Sequence, residues 1–159
     1  MSIRARIAAL GLGSAVALVG SFEGLRHVAY LDPVGIPTAC YGHTAGVELG
    51  QTYTTAQCEE LLGEEFWGAV MTVHRCVPVP LAPHELGALA SAVYNIGPRL
   101  VCDTGSSTAA RMLKAGDVAG ACNQLPRWDK ARVGGVLVPL PGLTRRREAE
   151  RRMCLGLAA

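Results

Sequence analysis

The chain carries little charge, no cysteine before Cys40 and no long hydrophobic run, and each shortage narrows what it can be. Charged residues make up 18% against 50% hydrophobic ones, which excludes a disordered chain and predicts a packed core. A net charge of +2 is too small to suggest a nucleic-acid partner. C-x-x-C is absent, which disfavours a zinc ribbon, and Cys40 and His43 have no second pair at ligand spacing. G-x-S-x-G, H-E-x-x-H and the P-loop are also missing, so protease, esterase and nucleotidase chemistries lack support. His27, His74 and His84 belong to no recognisable nucleophile arrangement, and no internal repeat or low-complexity tract is present. No metal or cofactor is expected.

Six cysteines are present, at 40, 58, 76, 102, 122 and 154, an even number that favours structural disulfides over free thiols or a metal. Disulfides require an oxidising compartment. The N-terminus supplies a way to reach one. Arg4 and Arg6 precede an uncharged stretch, Ile7 to Phe22, in which seven of 16 residues are strongly apolar. As one helix it would span about 24 Å, short of the roughly 30 Å hydrocarbon core. Three fates compete: cleavage after Ala15-Val16-Ala17, permanent anchoring, or insertion followed by release of the intact segment. The third is favoured, because the same helix then delivers Glu23. It places the N-terminus in the cytoplasm and the remainder outside the inner membrane, then in the periplasm.

What the chain does have is concentrated between Phe22 and Thr38. Glu23 ends the uncharged stretch, Asp32 follows nine residues later and Thr38 six after that. Two carboxyl groups flanking a scissile bond suffice for acid/base glycoside hydrolysis. Taken alone, Glu23 is equally a charge closing an apolar helix, and Asp32 a turn former before Pro33. His43 reads as a hydrogen-bonded structural residue, and Trp67 and Trp128 as core residues before sugar platforms.

Around this stretch the spacing predicts short strands over 25–44 with a turn at Asp32-Pro33-Val34-Gly35. A T-x-x-Q capping box at Thr54 and Gln57 opens one long helix over 55–75. Pro83 starts a helix ending near Gly97, and Ser106 or Ser107 and then Asp117 start two more, the second stopped by Pro126. Residues 129–143 read as loop, and Thr144 starts the last helix. The organisation is an α+β fold: an N-terminal segment (1–22), a small β-containing lobe with its connecting helix (23–75) and a helical C-terminal lobe (76–159). Between Arg99 and Arg152 eleven bases face five acids. That excess suits an anionic polymer such as a cell wall, or simply a solvated face, which is how the Arg145–Arg147 run with Arg151 and Arg152 reads.

Several motifs in order carry a resemblance. EGLR at 23–26, the E-x8-D-x5-T spacing, TACYGHT at 38–44, TYTTAQCEELL at 52–62, YNIG at 94–97, LKAGD at 113–117, GACNQLPRW at 120–128 and LTRRREAERRMC ending at Cys154 resemble phage-type lysozymes, glycoside hydrolase family 24. With its weak apolar leader, the chain is most similar to the signal-anchor-release endolysins of phages infecting Gram-negative bacteria. The resemblance implies a lysozyme-like fold and a monomeric muramidase acting on peptidoglycan, at the β-1,4 bond between N-acetylmuramic acid and N-acetylglucosamine. Glu23 would be the general acid, Asp32 would activate water on the other face of the sugar, and Thr38 would hold that water. Residues 7–22 would contact the inner membrane before release. By position it pairs Cys122 with Cys154, Cys40 with Cys58 and Cys76 with Cys102. Two other functions compete: a lytic transglycosylase cutting the same bond without water, and a membrane-tethered wall-binding protein without catalysis.

Overall fold

The computed structural model describes residues 1–158, as two compact units, Met1–Trp67 and Gly68–Ala159. The fold is of the α+β class expected: eight α-helices and two two-stranded antiparallel sheets among the described residues. The boundary between the units falls within one long helix.

In the first unit, helices α1 (Ile3–Ala9) and α2 (Gly13–Glu23) replace the single helix expected over the uncharged stretch, and their axes differ by 118°. Gly11 makes the break by adopting φ +68, open to glycine and costly to a residue with a Cβ. A straight apolar helix would leave most of its surface wet. The bend instead buries Ile7, Leu12, Ala15 and Val19. No single helix among the described residues is long and apolar enough to cross a membrane, while α1 and α2 together meet that length and composition.

Strands β1 (Arg26–Leu31) and β2 (Pro37–Cys40) form the expected hairpin, with Tyr30 opposite Thr38. Ala29, Ala39 and Val47, with Tyr53 against them, form a small core beneath it. Helix α3 (Thr55–Cys76) starts at the expected capping box. The Thr54 amide donates to Gln57 Oε1 (2.8 Å) and the Gln57 amide to Thr54 Oγ1 (3.2 Å). Close packing of α1 on α3 depends on Gly63, where an added Cβ would lie 2.9 Å from Ile3. The Cys40–Cys58 disulfide ties β2 to α3.

The second unit is built on α4 (Pro83–Ile96), whose residues from Leu86 to Val93 are all buried. Four helices follow: α5 (Arg99–Cys102), α6 (Thr108–Lys114), α7 (Val118–Cys122) and α8 (Pro141–Cys154). Ser107 and Asp117 cap α6 and α7 through their side-chain oxygens. Pro126 does not simply stop a helix; it sits in a 3-10 turn over Leu125–Trp128. Residues 129–143, expected as loop, contain the antiparallel hairpin β3 (Lys130–Val133) and β4 (Val136–Pro139), and α8 begins at Pro141 rather than Thr144. Gly134 and Gly135 both have positive φ, as a tight two-residue hairpin turn requires. Disulfides Cys76–Cys102 and Cys122–Cys154 close loops of 26 and 32 residues, each contributing about 3–4 kcal/mol through the unfolded chain.

The arginine run of α8 is not one solvated face. Arg146 and Arg147 are buried beside a fully buried Glu150. Glu150 Oε1 accepts from Ser91 Oγ (2.7 Å) and Arg147 Nη2 (3.0 Å), and Arg147 Nη2 also donates to Asn95 Oδ1 (2.9 Å). Burial pushes the Glu150 carboxyl up, against the opposing pull of Arg147, Ser91 and Arg146. Helical periodicity does not show this, because an Arg on the buried face is admitted only when a buried carboxylate meets it.

Candidate active site

Glu23 is the last residue of α2 and is half-buried. The helix stops there because Gly24 turns to φ +73, ψ 153, its amide still bonded to the Gly20 carbonyl (3.3 Å). The carboxylate lies near Gly42. A Cβ added to Gly42, itself at φ +91, would lie 3.7 Å from Glu23 Oε2. One turn earlier, a Cβ on Gly20 would lie 3.6 Å from Tyr41 Cε1 and from Leu62 Cδ2.

Asp32 stands at the β1–β2 turn. Its Oδ1 accepts from the amides of Val34 and Ile36, both at 2.9 Å, and its own amide donates to the Ile36 carbonyl (3.0 Å). The turn therefore orients the carboxylate before any ligand arrives, with Oδ1 occupied. Thr38, on β2 and buried, donates its hydroxyl proton to the same Ile36 carbonyl (2.9 Å). With that proton committed, Oγ1 presents lone pairs only. Asp32 and Thr38 thus bond the two sides of one residue, Ile36, while Glu23 lies near Gly42.

His43 is hydrogen-bonded, as expected: its Nδ1 lies 2.6 Å from Glu65 Oε1 on α3, and its backbone pairs with Ala39 in both directions (2.8 and 2.9 Å). Among the described residues, no group of three or more His, Cys, Asp or Glu side chains converges as a metal site requires.

The second unit has a groove of its own, about 580 Å³, lined by Asn95, Arg99, Gln124, Arg127, Trp128 and Lys130 among others. Trp128 is half-buried there, with the Arg99 guanidinium 5.5 Å above its ring. Reading Trp128 mainly as core missed this. The available signal was the basic excess beyond Arg99, which three of the lining residues carry.

The phage lysozyme family model matches residues 20–150. A SAR-endolysin of Enterobacteria phage P21 is 36% identical, over 97% of this chain and 96% of its own. An endolysin from Escherichia coli O157:H7 phage FAHEc1 is similar in structure, with TM-score 0.81 and 33% identity over 90% of this chain and 91% of that one. The active form of the P1 phage endolysin Lyz gives TM-score 0.78 at 25% identity, over 98% and 94%.

Proposed function

The chain belongs to the phage lysozyme family and is a peptidoglycan-hydrolysing lysozyme; on that premise we propose a muramidase with Glu23, Asp32 and Thr38 as its catalytic residues. Its bond is the β-1,4 linkage from N-acetylmuramic acid to N-acetylglucosamine. Glu23 gives its proton to the glycosidic oxygen as the bond to the anomeric carbon breaks. Water attacks that carbon from the opposite face, with its proton passing to Asp32 and its position held by the lone pairs of Thr38 Oγ1. The configuration inverts, and the product is a new reducing end. The observation that carries this reading is the Ile36 link. It pins the Asp32 carboxylate through Oδ1 at the Ile36 amide and leaves Thr38 Oγ1 an acceptor only at the Ile36 carbonyl, which suits holding a water.

The enzyme works as an endolysin, as a monomer, and reaches its substrate through its own leader. Residues 7–22 enter the inner membrane with Arg4 and Arg6 on the cytoplasmic side, and later leave it intact to fold as α1 and α2 in the periplasm. Three observations support this: the combined length and composition of α1 and α2, the pairing of all six cysteines from Cys40 onward, and the names of the relatives.

Digestion of purified peptidoglycan tests the chemistry. Glu23→Gln should lose about 10²–10⁴-fold in rate, and wild-type products should carry reducing ends. A 1,6-anhydro end would instead mean transglycosylation, and lysis undiminished in Glu23→Gln would mean a wall-binding protein. Intact mass of the periplasmic protein tests the leader. The full chain is expected, and loss of the first 17 residues would replace release by cleavage.

A further inference from the structure

Residues 39–43 form a small closed loop that makes no chemistry of its own, yet it touches both α2 and α3. Its neck is the two-way backbone pairing of Ala39 with His43. Cys40, inside the neck, holds φ +57, a conformation that costs a non-glycine residue energy and persists only where the surroundings enforce it. Two bonds to α3 do the enforcing: the Cys40–Cys58 disulfide and the His43–Glu65 contact. Cys58 and Glu65 are seven residues apart, two turns along one face of the helix. The other side of the loop meets α2, with Tyr41 against Gly20 and Gly42 against the Glu23 carboxylate. Gly20 and Glu23 are three apart and share a face.

Glu23 itself sits where α2 ends, with Gly24 immediately after it, so helix geometry alone fixes it less firmly than a residue in mid-helix. Gly42 of the loop lies near its carboxylate. We propose that His43 and Glu65 are positioning residues for Glu23: their contact anchors the loop to α3, and the loop in turn sets the depth and direction of the acid at the end of α2. This rests on Glu23 being the general acid. Neither His43 nor Glu65 touches the sugar or moves a proton in the reaction. The disulfide holds one end of the loop and the His43–Glu65 contact the end nearer Gly42, so the contact controls the part that faces the carboxylate.

The test is steady-state kinetics on solubilised peptidoglycan fragments with the full chain and His43→Ala, Glu65→Ala, the double variant and Glu65→Gln. Each alanine variant should lower kcat about tenfold and leave KM within about twofold, as expected for a misplaced acid with an intact binding surface. The double variant should lose no more than either single, since the two side chains act as one unit. Glu65→Gln, which can still accept from Nδ1–H, should recover most of the loss. Arg4→Ala, which removes a different ion pair to α3 at Glu59, should leave kcat unchanged. The proposal is overturned by unchanged kcat in the folded alanine variants, by additive losses, by a loss confined to KM, or by an equal loss in Arg4→Ala. If His43→Ala does not fold, Glu65→Ala against Glu65→Gln decides by the same criterion. A fully active Glu23→Gln would sink the acid assignment itself. An inactive Glu23→Gln beside fully active His43 and Glu65 variants sinks only the positioning role.

Discussion

In the Gly68–Ala159 unit, an unbroken run of eight α4 residues is buried, and two disulfides and an ionic cluster at Glu150 surround it. In the Met1–Trp67 unit the hairpin covers a core of two alanines and one valine, and α1 sits on α3 only because Gly63 lacks a side chain. Its apolar residues also reach the surface more often: Leu31 and Val34 of the hairpin are 53% and 78% exposed. All three proposed catalytic residues lie in this thinner-cored Met1–Trp67 unit. The contrast teaches a division of labour. Bulk burial stabilises the unit that holds none of the proposed catalytic residues, while Asp32 and Thr38 are oriented by short-range hydrogen bonds on backbone that burial alone would leave loose.

The sharpest way to break that contrast is to change one group in each unit and measure both activity and stability. Glu23→Gln should remove nearly all activity, the 10²–10⁴-fold loss given above, and leave the thermal midpoint close to that of the wild type. Glu150→Ala should do the opposite. It removes the buried carboxylate that both guanidinium groups meet and should cost about 3–5 kcal/mol in urea unfolding. Whatever protein stays folded should keep a near-normal turnover per molecule. If Glu150→Ala is stable, burial of that cluster does not hold the unit together.

The smallest expected effect lies on the outer side of the same helix, where Arg151 donates twice to Glu148 at 2.8 Å. That pair is partly exposed. The Arg151 guanidinium holds the Glu148 carboxyl below the usual carboxylate range. A carboxylate with a lowered folded-state pKa contributes stability above its unfolded value, about 4.3, and loses it as pH falls through the folded one. Arg151→Ala should therefore lower the urea midpoint slightly near pH 6, with the difference from wild type shrinking as the pH drops below about 4. A difference that persisted unchanged in acid would assign the effect to packing of the Arg151 stem.

Much of this was legible in the chain itself. The capping box at Thr54 and Gln57 and the turn signals at Asp32 and Asp117 are local devices, made by residues two to four apart, and the elements begin where they stand. The hairpin over 130–139 was not legible. It is short, its faces are nearly all exposed, and Gly134-Gly135 with two nearby prolines suits a loop as well as a tight turn. Arg147 misled for a related reason. Its partner Asn95, and Ser91 that bonds its neighbour Glu150, stand more than fifty residues away, and nothing beside it announces them.

From the sequence came the α+β plan, through composition, spacing and neighbours within a turn or two, and, through the resemblance of its motifs to phage-type lysozymes, the family and the acid, carboxylate and hydroxyl proposed as catalytic. Only tertiary structure bent the leader at Gly11, buried Arg147 against Glu150, joined Asp32 to Thr38 through Ile36, and set a loop against Glu23. Each of those depends on which surfaces exclude water from one another, and that is settled between residues that are strangers along the chain.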